Sequence, residues 1–251
     1  MAGDFGNENV ELVRSIANVD MPKAAILGNH DSWSTYNFSK KLGEEHVGYG
    51  RLDFPKLKLS VVGGRPFSLG GDKLFRKQLL KASPWLLLID FPSSCIDLNR
   101  RLTRLETRIA WIHDTKQYPC FVMECSGASS FLSSFASCIS LLRHVRYGVQ
   151  NMEESAHKIH MAASGTPEDH SIIFLSHNGP TGLGSGVDDM CGKDWEGGGD
   201  NGDLDLAQAI SLVKETSTNS IPLVVFGHMH KEMLDGGSRK MVFVASDNTI
   251  T

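Results

Sequence analysis

The stretch AAILGNHDSW, residues 24–33, decides the reading of this chain. A short apolar run (residues 24–27) ends at Gly28, and an amide, an imidazole and a carboxylate follow at once as Asn29, His30 and Asp31. Runs of this kind read as strands buried on both faces, with the glycine as the turn that ends them. The plan recurs twice: residues 172–175 run into SHNGP, and residues 223–226 run into GHMH. In open α/β sheets ligands collect outside the carboxyl ends of the strands. Each of these strands delivers its polar residues at that end.

Helices fill the intervals. Val10, Val13 and Ile16 recur at helical spacing within residues 9–19. Met152, Ala156, Ile159 and Ala163 mark a second helix, and a third begins near Asp205, with Gln208 completing a capping box, and runs to about residue 215. Residues 60–64 and 241–245 read as further strands. The repeated order of helix, strand and polar loop predicts an α/β fold.

Bulk composition narrows the function. The 251 residues are 41% hydrophobic and 22% charged, an ordinary globular balance that fits a single domain over residues 1–251. A net charge of −4 argues against a partner such as nucleic acid, which calls for a basic stripe. Five cysteines without a C-x-x-C pair point to a reducing compartment. The longest apolar run, residues 85–89, is far shorter than the roughly 18–20 residues of a membrane span, so no membrane partner is expected. The acidic N-terminus has no apolar core of a signal peptide, and the expectation for the chain as written is cytoplasmic.

Residues 81–146 stand apart, with four of the five cysteines and one of the 25 glycines. They carry a heptad-like series, Leu98, Leu102, Leu105, Ile109 and Ile112. This segment reads as an insertion, helical or poorly ordered, and either an inserted hairpin or sequence foreign to the domain accounts for its composition.

One histidine at a strand end is usually structural; three strand ends carrying Asn29-His30, His177 and His228-x-His230 are a joint signal. Imidazoles with a neutral amide oxygen suit Zn, Mn or Fe. An extended strand would point His228 and His230 the same way, whereas a turn at Gly227 can splay them. Asp4, in GDFGNEN, is either a helix N-cap or a metal-bridging carboxylate, and the company of the other motifs favours bridging. Arg65, in VVGGRPFSLGG, could pair with a phosphoryl oxygen, although a strand and a glycine-rich turn is the favoured reading there.

GDFGNEN, GNHD, SHNGP and GHMH, in that order, resemble the calcineurin-like metallophosphoesterases, and the GDFGNE, GGRPFS and HNGPTGLG stretches resemble their cyanobacterial and plant branch. The likeness covers roughly residues 3–80 and 147–250. It implies a sandwich of two mixed sheets flanked by helices and two-metal hydrolysis of a small phosphoester, with Mn, Fe or Zn as cofactor. It implies that Asp4 bridges both metals, that Asn29, His177 and His228 hold one, and that His230 holds the other. His30 would then face the substrate as the catalytic acid, with Asp31 orienting its ring. The plant likeness also implies a plastid address for a longer form carrying a transit peptide.

The chain departs from the pattern in one respect. The family's opening Asp-x-His is absent, and no Asp-x-His occurs anywhere. The expectation is therefore an N-terminally truncated member, with one metal position complete, the other holding only Asp4 and His230, and activity weakened or lost. The alternative is a catalytically silent metal-binding or interaction protein. Glu44, Glu45 and His46 offer a replacement carboxylate and imidazole, but in a helical Lys/Glu-rich context that argues against it.

Overall fold

The computed structural model describes residues 1–6, 9–31, 45–77, 80, 147–247 and 249–251, together with the backbone of residues 109–112 and 120–123. The chain divides into two compact units, residues 1–78 with 149–251, and residues 79–148.

The larger unit is α/β. Its strands β1 (Arg51–Phe54), β2 (Leu59–Gly63), β5 (Ser171–Leu175) and β6 (Leu223–Val225) form one mixed sheet in the order β1-β2-β5-β6. β1 runs antiparallel to β2, while β2, β5 and β6 run parallel, with Val62 opposite Phe174 and Phe174 opposite Val224. Among the described residues three α-helices accompany the sheet: α1 (Val10–Ala17), α2 (Met152–Ser164) and α3 (Leu204–Thr216). Asn9 caps α1 by accepting from the Leu12 N–H, and Asn151 caps α2 by accepting from the Glu154 N–H.

Alternation along the strands sends side chains to two faces. On one face, Val62, Ile172, Phe174 and Val224 pack with Ile159 and Ala163 of α2 and Leu206, Ala209 and Val213 of α3. Full burial of each large side chain there contributes about 1.5–3 kcal/mol. A second cluster joins Leu175 and Val61 to Ile26 and Val47.

Residues 24–27 differ from the expected ladder strand. Among the described residues they make one bridge, Ala25 to His46; beyond it the Met1 amine donates to Ala24 O, the Ile26 N–H donates to Met1 O, and Leu27 O accepts from the Phe67 N–H. Residues 25–27 are buried, but among the described residues no single neighbour runs beside the stretch for its length. The expected strand at 241–245 is likewise reduced to a bridge between Val244 and Ile250.

α3 departs from its expected cap. Position 203 is the N-cap, and the Asp203 side chain makes no capping bond, because it accepts from Arg65 and Ser68 instead.

In the smaller unit, β3 (Ile109–Ile112) pairs antiparallel with β4 (Cys120–Met123), Ile109 opposite Met123. The end of the heptad-like series is thus a strand, as its aromatic and β-branched neighbours favour. Leu98, Leu102 and Leu105 lie outside the described residues.

Candidate metal centre

Because β2, β5 and β6 run parallel, their carboxyl ends share one edge of the sheet. β5 ends one residue before Ser176-His177, and β6 ends three residues before His228. The two loops are stitched together: the Ser176 N–H donates to Val225 O, and the Gly227 N–H donates to His177 O. Asn29 arrives from the turn after residues 24–27.

These segments bring four donor atoms together. Asn29 Oδ1 lies 2.8 Å from His177 Nε2 and 3.0 Å from His228 Nδ1. His177 Nε2 is 3.6 Å from Asp4 Oδ1. The ligand atoms of Asp4, His177 and His228 all fall within 4.8 Å of one another. The buried His177 ring has its Nδ1 only 2.6 Å from Ala2 O, which can only accept, so Nδ1 carries the proton. In the neutral ring, Nε2 then aims a lone pair at two oxygens that are themselves acceptors. Acceptors facing acceptors are what a cation reconciles, and an imidazole whose other nitrogen donates to a carbonyl is the usual metal-ligating arrangement. Burial, the neighbouring His177 ring and, more weakly, His30 push the His228 imidazole down to about 4, against Asp4 and the Leu69 backbone, which raise it. His228 is therefore neutral, with one ring-nitrogen lone pair to offer, at neutral pH.

The backbone is strained where it presents these groups. Asp4 has φ 58° and His228 has φ 67°, both left-handed and both non-glycine. Such conformations cost about 1–3 kcal/mol each and persist only where the surroundings enforce them.

Asp31 enforces one of them. Its carboxylate is buried and accepts from the backbone N–H groups of Asp4 (3.0 Å), Gly6 (3.0 Å) and Gly28 (2.7 Å). Burial raises its pKa, against the three N–H bonds that lower it. This corrects the expectation that Asp31 orients the His30 ring: it clasps the loop of residues 3–6 to the loop that follows Leu27. His30 is exposed, and its backbone N–H donates to Asp4 Oδ1 at 3.0 Å.

Gly28 has no room for a side chain, since an added Cβ would sit against Asp4 Oδ1 and 2.6 Å from both the Asp4 nitrogen and His177 Cε1. Gly28→Ala is expected to force Asp4 and His177 apart and weaken metal binding at least about tenfold, the scale of disturbing a ligand's support. Calorimetric titration with Mn²⁺ checks this, and unchanged affinity would mean that the loops are free to shift.

Other sequence expectations fall elsewhere. His230 is exposed and stands outside the Asp4–His177–His228 group. Glu45 pairs with Lys23 at 2.8 Å, His46 Nδ1 lies 3.3 Å from Ala25 O, and Glu44 lies outside the described residues. Arg65 is corrected. It is 0% exposed, with Nη2 at 2.8 Å from Asp203 and Nε at 3.0 Å from Asp205, both fully buried, and Nη1 donating to Lys73 O. A guanidinium committed to two interior carboxylates meets no substrate. Burial pushes the Cys191 thiol up to about 12, aided by Asp200 and Asp203, which keeps it protonated and inert.

Sequence reasoning missed the carbonyl of Ala2, which carries no side-chain signal, and Arg76, which lies in no motif. Compared with family models, curated proteins and solved structures, the chain matches none.

Proposed function

We propose that this chain is a metal-dependent phosphoester hydrolase in which Asp4, Asn29, His177 and His228 hold one divalent cation, Mn, Fe or Zn, and that its fold is the calcineurin-like sandwich its motifs resemble. The observation that carries the reading is the convergence of four electron-pair donors, from four separate segments, on one point at the carboxyl edge of parallel strands. The donor set fits such a cation: two imidazoles, an amide oxygen and a carboxylate, with no thiolate. When bound, the cation supplies Lewis acidity, drawing charge from a phosphoryl oxygen and acidifying water. The protein's own part is positional and acid–base. Asn29 and the two histidines fix where the phosphorus sits. His30, the next residue and exposed, donates a proton from its ring to the departing ester oxygen. Asp31 keeps Asp4 and Gly28 in register.

A second reading, a metal-binding protein without turnover, is favoured by one observation: among the described residues His230 stands apart from the group, and no other His, Cys, Asp or Glu joins Asp4 there for a second cation. Both readings predict one tightly bound Mn²⁺ per chain and an affinity that His230→Ala leaves unchanged. Hydrolysis of p-nitrophenyl phosphate separates them. Mn²⁺-dependent turnover, abolished by chelator and by His30→Ala, supports the hydrolase, and full metal occupancy without turnover supports the silent protein. Two Mn²⁺ per chain, with one lost in His230→Ala, would contradict the single-site account.

A further inference from the structure

With Arg65 withdrawn into the interior, any guanidinium that meets an anionic ester beside the cation must come from elsewhere. Arg76 has the placement. Its Nη2 donates to the backbone carbonyl of Asn29 at 3.2 Å, so one residue offers its amide oxygen to the two imidazoles and its carbonyl to a guanidinium. The guanidinium carbon lies over two aromatic faces, 5.4 Å from the centre of the Phe75 ring and 5.7 Å from that of Phe67. Cation–π contacts at this range fix the plane of the group without neutralising it. Among the described residues, every other arginine forms an ion pair with a carboxylate, and Arg76 forms none. Of its five N–H donors, one is used by the Asn29 carbonyl. The backbone of Arg76 is itself left-handed, at φ 50°.

We propose that Arg76 is the phosphoryl-recognising residue of this site, its free guanidinium edge taking the non-bridging oxygens of an anionic phosphoester next to Asn29. The inference rests on the metal-centre reading above and adds the residue that selects the substrate's charge. A guanidinium presents paired N–H donors matched to two phosphoryl oxygens, which a lysine ammonium does not. An uncharged ester would leave those donors unmatched, so the site is selective for phosphomonoesters and for diesters with ionised oxygens.

The test measures two affinities on the full chain: Mn²⁺ alone, then inorganic phosphate at saturating Mn²⁺. Arg76→Gln is expected to weaken phosphate binding roughly 10- to 100-fold, the scale of hydrogen bonds to a charged group, and to leave Mn²⁺ affinity unchanged. Arg76→Lys, which keeps the charge but not the fork, is expected to fall between the two, and it serves as the folded control. Equal phosphate affinity in wild type and Arg76→Gln overturns the proposal, as does wild-type protein that binds Mn²⁺ but not phosphate. Parallel loss of Mn²⁺ affinity also overturns it, since Arg76 would then only brace Asn29. Wild-type protein that binds no Mn²⁺ is a different failure, because it removes the metal centre itself and Arg76's role with it.

Discussion

Replacing His177 by alanine is expected to lower divalent-metal affinity by more than about 100-fold, because loss of a supporting group alone costs about 10–100-fold and His177 donates directly. The size of the effect follows from where the ring sits. It is 1% exposed, hydrogen-bonded to Ala2 O on one side, and aimed at Asn29 and Asp4 on the other. No second side chain can take its place, because the ring packs on two glycines: a Cβ on Gly3 would lie 2.7 Å from His177 Nδ1, and one on Gly28 2.6 Å from Cε1. His177→Gln separates ligation from packing. It retains bulk and a carbonyl oxygen, so it is expected to fold like the wild type and bind metal with intermediate affinity. Circular dichroism with calorimetric Mn²⁺ titration reads both effects. Wild-type affinity in His177→Ala would show that the four-atom cluster is not where metal binds.

Arg65→Ala is expected to destabilise the larger unit by about 3–5 kcal/mol, the cost of breaking a buried ion pair and leaving its partner charges behind. Two carboxylates, Asp203 and Asp205, share this one guanidinium in a fully buried setting, and Asp203 Oδ2 and Asp205 Oδ1 have no hydrogen-bond partner. With both acids ionised the cluster carries an uncompensated negative charge. Burial accordingly pushes the Asp203 carboxyl up to about 7, with Arg65 opposing and Asp205 adding to the rise. The sign of the linkage follows: a carboxyl whose folded pKa exceeds its unfolded value of about 3.9 binds its proton more tightly when folded. Its contribution to stability is whole below about 4 and is lost as pH rises through about 7. Urea titrations from pH 4 to pH 8 are expected to show wild type losing stability relative to Asp203→Asn, whose amide cannot ionise. Parallel stability profiles would place the proton elsewhere.

The α/β class and the polar strand ends at Asn29, His177 and His228 were legible because those signals are local, whereas the grouping of Asp4 with them was an expectation of the motif resemblance. Apolar runs ending in polar turns mark strand ends, and parallel strands gather their ends at one edge. α1 and α2 were legible for the same reason: Val10, Val13 and Ile16 in one, and Met152, Ala156, Ile159 and Ala163 in the other, recur at helical spacing. What stayed hidden depends on partners distant in the chain. Asp31 sits next to His30, which suggests an acid–histidine pair, yet it is drawn to N–H groups 25 and 27 residues earlier. Asp203 and Asp205 have the look of capping acids, but a guanidinium about 140 residues away outcompetes the helix N-terminus for Asp203. Arg65 and Arg76 are both arginines in glycine-rich or basic surroundings. Only the fold reveals that one is enclosed and the other faces the Asn29 turn.

An anomalous-difference map from crystals grown with Mn²⁺ or Zn²⁺ tests the central claim most directly. The expected result is one peak bonded to Asn29 Oδ1, His177 Nε2, His228 Nδ1 and an Asp4 oxygen, at about 2.0–2.2 Å in the zinc case. A map with no peak between these residues, or with the metal held by other side chains, would contradict it.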